Sequence, residues 1–393
     1  MKIPKFLLFL LLTITSLLSS DTKLKLPDIL NPDKQKDHQT IESTKFIRSG
    51  PTIQIAILLD SSNSMDGLIT QTKSQIWKII NELALANKDQ KDVTLQVGLF
   101  EYGKSSLPSS KGYLQMLSPL TNDLDFLSEK LFGLKTNGGD EYAGWVIQDA
   151  VKRLQWSHHK DDLKLIIIAG NESFSQGAVS FATAIKKASK AKVIVNTIFC
   201  GNYDSGINLQ WQKGAQLGGG VYMNIDQNKK VLTMPTPYDK KILALGSQLN
   251  KTYISYGHQG HQKKMRQVTQ DKNAQSISAP AAVERSFAKA SKQYQNQSWD
   301  LTSAYEEKES VLEELPQSAM PKELQNKSKK EVKLYLDKQL KKRKSIQKDL
   351  AKLKAKRSSF ISKNQPKKQK DIGTVLVENL KKIAHDNGFI FKK

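Results

Sequence analysis

The chain has a single cysteine, Cys200, in 393 residues. One thiol excludes an internal disulfide framework, and none lies near the N-terminus to carry an acyl anchor. Cys200 ends the apolar run "VIVNTIFC" with no His or Asp partner close in sequence, so it reads as an inert buried residue. Histidine is also scarce. His258 and His261 in "YGHQGHQKK" come nearest to a zinc spacing, but no second pair follows, and Lys263 and Lys264 would repel the ion. That stretch reads as an exposed glycine-containing loop. A nucleophile elbow and an H-E-x-x-H helix are missing. The glycines of "QLGGGVY" do not stand between a strand and a following helix, so no phosphate-cradling loop is supported. Nothing argues for an enzyme.

Long apolar runs are nearly absent. The exception is "MKIPKFLLFLLLTITSLLSS", where Lys2 and Lys5 precede the run and small residues near Ser19 and Ser20 end it. That pattern is a secretory signal peptide over residues 1–20, and its run is shorter than the roughly 20 residues a spanning helix needs. An exported protein is expected, whether periplasmic, cell-surface or secreted. Acidic residues are in deficit: 38 Asp+Glu against 61 Lys+Arg give a formal net charge of +23. From Gly246 onward stand 32 basic and 15 acidic residues, so most of the excess sits in the second half. An anionic partner for that half is implied, either a cell-envelope polymer or a membrane surface. Aromatic residues are sparse along its most basic stretch (Tyr335 and Phe360), which argues against base stacking and nucleic acid.

What is present has a clear order. Residues 21–50 are polar, hold Pro27 and Pro32, show no sustained period and read as a linker. From residue 51 to about 235 apolar strands alternate with amphipathic helices. "TIQIAILL", "VTLQVGLFEYG", "LKLIIIAG" and "KVIVNTIFC" read as strands, with "GYLQMLSPL" beside the second and "VYMNI" as the last. "GLITQTKSQIWKIINELALA", "DLDFLSEKLFGL", "AGWVIQDAVKRLQW" and "GAVSFATAIKKASKA" read as helices. The fold class is therefore α/β, a doubly wound, mostly parallel sheet covered on both faces, with ligands expected beyond the carboxyl ends of its strands. Residues 236–315 read as a helical extension and 316–393 as a basic helical C-terminal region. There Ser328 and Glu331 form a capping box before a long helix with apolar positions at Val332, Leu336, Leu340, Ile346, Leu350 and Leu353. That stripe suits packing on a neighbour or pairing in a short coiled coil, with oligomerisation as one outcome.

The first strand ends in "DSSNS", which places Asp60, Ser62 and Ser64 at i, i+2 and i+4. On a loop leaving a strand tip, this spacing brings one carboxylate and two hydroxyls to one side, a donor set that suits a hard divalent cation. An ordinary strand-to-helix turn, with Ser64 or Asp66 as cap, accounts for the same residues. "ILLDSSNSM" also resembles the D-x-S-x-S signature of von Willebrand factor type A domains. "LKTNGGDEYAGWVIQDA", "LIIIAGNESFSQGAV" and "NTIFCGN" resemble a secreted bacterial branch with a basic helical C-terminal region. The resemblance implies a metal-ion-dependent adhesion site for Mg2+ or Mn2+ built from three loops. Its first loop gives Asp60, Ser62 and Ser64. Its second gives Asp140 in "TNGGDE", with Thr136 four residues earlier. In its third, Asn171 stands where an aspartate is usual, followed by Glu172. The neutral Asn171 implies an ion that enters together with an acidic partner, unless Glu172 or Asp140 restores charge. Asp140 and Glu141 also suit the start of the next helix.

The leading expectation is an exported binding or cell-adhesion module whose metal grips a carboxylate on a protein partner, with the basic tail attaching it to envelope or partner. The alternatives are an oligomerising structural scaffold with a degenerate metal site, or a chelatase-like partner subunit of an ATPase.

Overall fold

The computed structural model describes residues 50–225, 234–364 and 372–391. The expected signal peptide, and all of the expected linker but Gly50, lie outside the described residues.

The first strand, β1 (Thr52–Asp60), shows how the sequence makes the core. Its side chains alternate, so Ile53, Ile55 and Leu59 enter one hydrophobic cluster while Ala56 and Leu58 enter another on the opposite face. A strand apolar on both faces belongs in the middle of a parallel sheet. There follow α1 (Asp66–Leu83), two short strands β2 (Ala86–Lys88) and β3 (Lys91–Asp92), then β4 (Thr94–Tyr102) and β5 (Leu114–Thr121). Next come α2 (Leu124–Phe132), α3 (Ala143–Arg153), β6 (Leu163–Gly170), α4 (Phe181–Lys190) and β7 (Ile194–Cys200). The helices α5 (Tyr203–Asn208) and α6 (Trp211–Leu217) lead into β8 (Gly219–Ile225).

The six-stranded sheet has the order β5-β4-β1-β6-β7-β8, parallel throughout except for β5, which runs antiparallel beside β4. Chain order reverses on either side of β1, whose carboxyl end therefore opens on the crevice where such sheets bind ligands. The doubly wound, mostly parallel sheet expected from the sequence is thus present.

The two faces are covered unequally. One packs on α3, α4 and α6. The other packs on α1 and α2, and then on helices from the second half of the chain: α7 (Asp239–Asn250), α8 (Gly260–Ile277) and α9 (Ala279–Ala290). After α10 (Leu301–Glu307) and α11 (Val311–Glu314), the 36-residue α12 (Lys329–Asn364) spends its apolar stripe on the chain itself. Val332 and Leu336 join a small cluster with Leu301 and Tyr305, and Ile346, Leu350 and Leu353 join the main core. The capping box forms: Ser328 N donates to Glu331 Oε2 at 2.8 Å, and Glu331 N donates to Ser328 Oγ at 3.3 Å.

The last helix, α13 (Ile372–Asp386), places Leu376, Leu380 and Ile383 in the same core. The short β9 (Ile390–Phe391) then pairs antiparallel with β2, Phe391 opposite Ala86. Helix α1 ends at Leu83, and Ala86, which apolar periodicity assigns to the helix, lies in β2 instead.

Candidate functional site

β1 delivers Asp60 to the carboxyl edge with its side chain buried, and the chain then turns through a single 3-10 turn (Asn63–Met65) into α1. Asp60 Oδ1 accepts from the backbone N–H of Ser62 at 2.8 Å. Asp60 Oδ2 is buried and meets no hydrogen-bond donor among the described residues. The Ser62 and Ser64 hydroxyls face each other at 3.0 Å, and Ser64 Oγ donates to Asn171 Oδ1 at 3.2 Å. Ser62, the N-cap of the turn, makes no side-chain cap bond.

The second loop brings a different carboxylate from the one expected. Asp140 is exposed and accepts from the Tyr142 hydroxyl at 3.1 Å. Thr136 is also turned away, its hydroxyl donating to Asp66. The side chain that reaches Asp60 is Glu141, only 6% exposed, whose carboxyl lies against that of Asp60 with the Ser62 hydroxyl in reach of both. The phase of the loop is set by close backbone approaches. A Cβ on Gly139 would meet Ser105 N at 2.6 Å, and Ser105 N donates to Gly138 O. The loop therefore lies flat on the segment after β4, pointing Asp140 outward and Glu141 inward. Gly103, at φ +78°, completes the cradle, because a Cβ there would stand 2.7 Å from Asp60 Oδ1 and 2.9 Å from Glu141 Cγ.

The third loop contributes Asn171 through Ser64, while Glu172 stays exposed at the rim. The structure thus gathers Asp60, Ser62, Ser64, Asn171 and Glu141, and leaves Thr136 and Asp140 at the periphery. Burial raises the pKa of Asp60, although bonds from Glu141 and Ser62 act against the rise. Burial also raises that of Glu141, helped by its hydrogen bond to Asp60 and by the charge of Asp60. Two acids pressed together away from water hold a proton between them when no other cation is present.

These donors fit a hard divalent cation. They are all oxygen, two are carboxylates, and one buried carboxylate oxygen is left without a donor. Among the described residues no group of three or more His, Cys, Asp or Glu side chains could hold a metal, so any such site depends on the hydroxyls of Ser62 and Ser64. Cys200 is buried nearby, and burial keeps its thiol protonated, with the charge of Asp60 adding to the effect. His258 and His261 are exposed at the start of α8.

No family model and no curated protein matches the chain. Among solved structures, the chain is similar to BatB from Bacteroides thetaiotaomicron, at 17% identity over 44% of this chain and 90% of that one, with a TM-score of 0.34. It is similar to the SpRpn10 VWA domain at 17% identity over 45% and 89%, with a TM-score of 0.33. It is also similar to proximal thread matrix protein 1 from the mussel byssus, described with a zinc-occupied MIDAS motif, at 13% identity over 47% and 44%, with a TM-score of 0.34.

Proposed function

We propose that this chain is an exported binding module that holds a divalent cation at the carboxyl edge of its sheet and, with it, an acidic group on a protein partner. The observation that supports this reading is Asp60 Oδ2, buried against the Glu141 carboxyl with no N–H donor and bordered by the Ser62 and Ser64 hydroxyls. Asp60, Ser62, Ser64 and Glu141 would hold the ion, with Asn171 fixing Ser64 and Glu172 adding negative potential at the rim. Magnesium or manganese suits an all-oxygen set, and when bound it supplies Lewis acidity toward an incoming carboxylate oxygen. Asp60 and Glu141 together cancel a dication's charge. A partner's acid therefore competes with Glu141, which acts as a built-in substitute for the ligand. Export rests on Lys2, Lys5 and the apolar run behind them; among the described residues no helix is long and apolar enough to cross a membrane.

The test is thermal unfolding of the full chain with Mg2+ or Mn2+ and then with chelator, followed by partner capture under both conditions. A ligand at one hundred times its Kd stabilises the native state by about 2.7 kcal/mol, and Asp60→Ala is expected to abolish that gain. Melting indifferent to the ions, together with capture unaffected by chelator and by Asp60→Ala, would overturn the reading.

A further inference from the structure

We infer that the outward face of α12 is a docking surface for an anionic lipid bilayer. The helix carries lysine and arginine on every side, but the fold sorts them. Both arginines turn inward: Arg343 Nη1 donates to buried Asp300 at 2.8 Å, and Arg357 pairs with Asp239 at 3.0 Å and Glu284 at 2.9 Å. On one flank, Lys329, Lys333 and Lys344 pair with Glu313, Glu309 and Glu306. Opposite the apolar stripe, Lys338, Lys341, Lys342, Lys348, Lys352 and Lys356 are exposed, and none makes an ion pair with a described residue.

At 3.6 residues per turn these six lie within about one third of the helix circumference, and at 1.5 Å per residue they extend over about 27 Å. Two acids share that sector: the half-buried Asp349, and Glu331 at the helix start, where the capping box engages it. In the same sector, one turn before Lys338, stands Leu334, which at 71% is the most exposed large hydrophobic side chain among the described residues.

The chemistry of the face selects the partner. Lysine is a point charge that needs no fixed geometry, whereas arginine reads planar, bidentate acceptors. A convex row of lysines without arginine matches a flat field of mobile headgroups better than a shaped phosphate site. Stacking is not offered either, since Tyr335 and Phe360 are half-buried and the Phe360 ring packs against Tyr238. An exposed leucine among the lysines has no use against a soluble polyanion, but it can enter the acyl boundary of a bilayer. The apolar stripe is already covered by the chain's own core, so this contact requires no refolding.

The experiment is co-sedimentation of the full-length chain with vesicles of phosphatidylserine and phosphatidylcholine in a one-to-three ratio, and with pure phosphatidylcholine. Binding to the mixed vesicles alone is expected, and it should vanish between about 0.1 M and about 1 M salt as the screening length shrinks from ~10 Å to ~3 Å. Each lysine near such a surface is worth roughly a factor of five. The quadruple variant Lys341→Gln, Lys342→Gln, Lys348→Gln, Lys352→Gln should therefore lose at least a hundredfold in partitioning, with an unchanged melting temperature showing that it folds. Leu334→Ser should weaken vesicle binding several-fold and leave retention on a soluble polyanion (polyphosphate) unaltered. Equal binding to neutral vesicles, full retention by the quadruple variant, or tight polyphosphate binding with no vesicle binding would each overturn the assignment, the last in favour of an anionic polymer.

Discussion

At the scale of single residues, the informative side chain is Glu141. Asp60, Ser62 and Ser64 are legible in the sequence because they lie within five residues of a strand whose phase is fixed by its apolar alternation. Glu141 is not, because "TNGGDE" has no period, and one step along such a loop turns an inward side chain outward. The choice between Asp140 and Glu141 is made by Gly138 and Gly139 lying against the segment after β4, a contact no local pattern reveals. Glu141→Gln separates the two things that this residue does. Without metal, wild type takes up a proton to hold the two acids together, a cost above the unfolded carboxyl pKa that the neutral amide avoids while it donates to Asp60 in the proton's place. The variant should therefore unfold at higher urea than wild type in chelator. With one carboxylate fewer, Mn2+ affinity by calorimetry should drop about tenfold, on the order of 1.4 kcal/mol. Once the ion is saturating, the grip on an acidic partner should be at least as strong as in wild type. A variant less stable than wild type in chelator would show that the paired carboxyls serve the fold rather than an ion.

At the scale of elements, the strands and helices of the sheet follow from periods of two and 3.6, and the start of α12 from its capping box. The β2–β9 pairing was hidden because its partners stand about 300 residues apart and each strand is only two or three residues long. Equally hidden was the polar network that locks α8 to α9. Arg285, buried and 4.4 Å from the Trp77 ring centroid, donates to Asp271 Oδ1 at 2.9 Å, and Lys289 reaches Asp271 Oδ2 at 2.5 Å. Burial alone would raise the Asp271 carboxyl, but Arg285 and Lys289 hold it down at about 2. A depressed acid stabilises the fold above its unfolded pKa, and that contribution is lost as pH falls from roughly 4 to about 2. Asp125 opposes this in the same network, because burial outweighs Arg285 and raises its carboxyl. The share of Asp271 is therefore read by difference. Asp271→Asn should cost about 3–5 kcal/mol near neutral pH, by leaving buried cations short of a counter-charge, and the gap to wild type should narrow by pH 2. Urea unfolding at pH 6, 3 and 2 measures it, and a gap constant with pH would show that the pair carries no net charge energy.

At the scale of the whole molecule, the charge split noticed in the sequence turns out to be a division of surfaces. Most lysines of the second half lie outside, Lys289 being buried on Asp271, while its apolar residues complete the core begun by the sheet. Ile346, Leu350 and Leu353 from α12, with Leu376, Leu380, Ile383 and Phe389 from the chain's end, sit in one cluster with Ile53, Ile55 and Leu59 of β1. That union was not legible, because an amphipathic stripe shows that a helix needs a partner without saying which one. It has a measurable consequence. Each fully buried Leu, Ile or Phe contributes about 1.5–3 kcal/mol, so removing seven exceeds most or all of the 5–15 kcal/mol by which a domain is stable. A chain ending at Pro316 is therefore expected to lose cooperative unfolding, bind a hydrophobic dye and aggregate, even though every strand of the six-stranded sheet remains. Adding residues 317–393 as a separate polypeptide should restore a cooperative transition. If the shortened chain instead unfolds sharply at the wild-type temperature without binding dye, the C-terminal helices are an appendage, and the core closes without them.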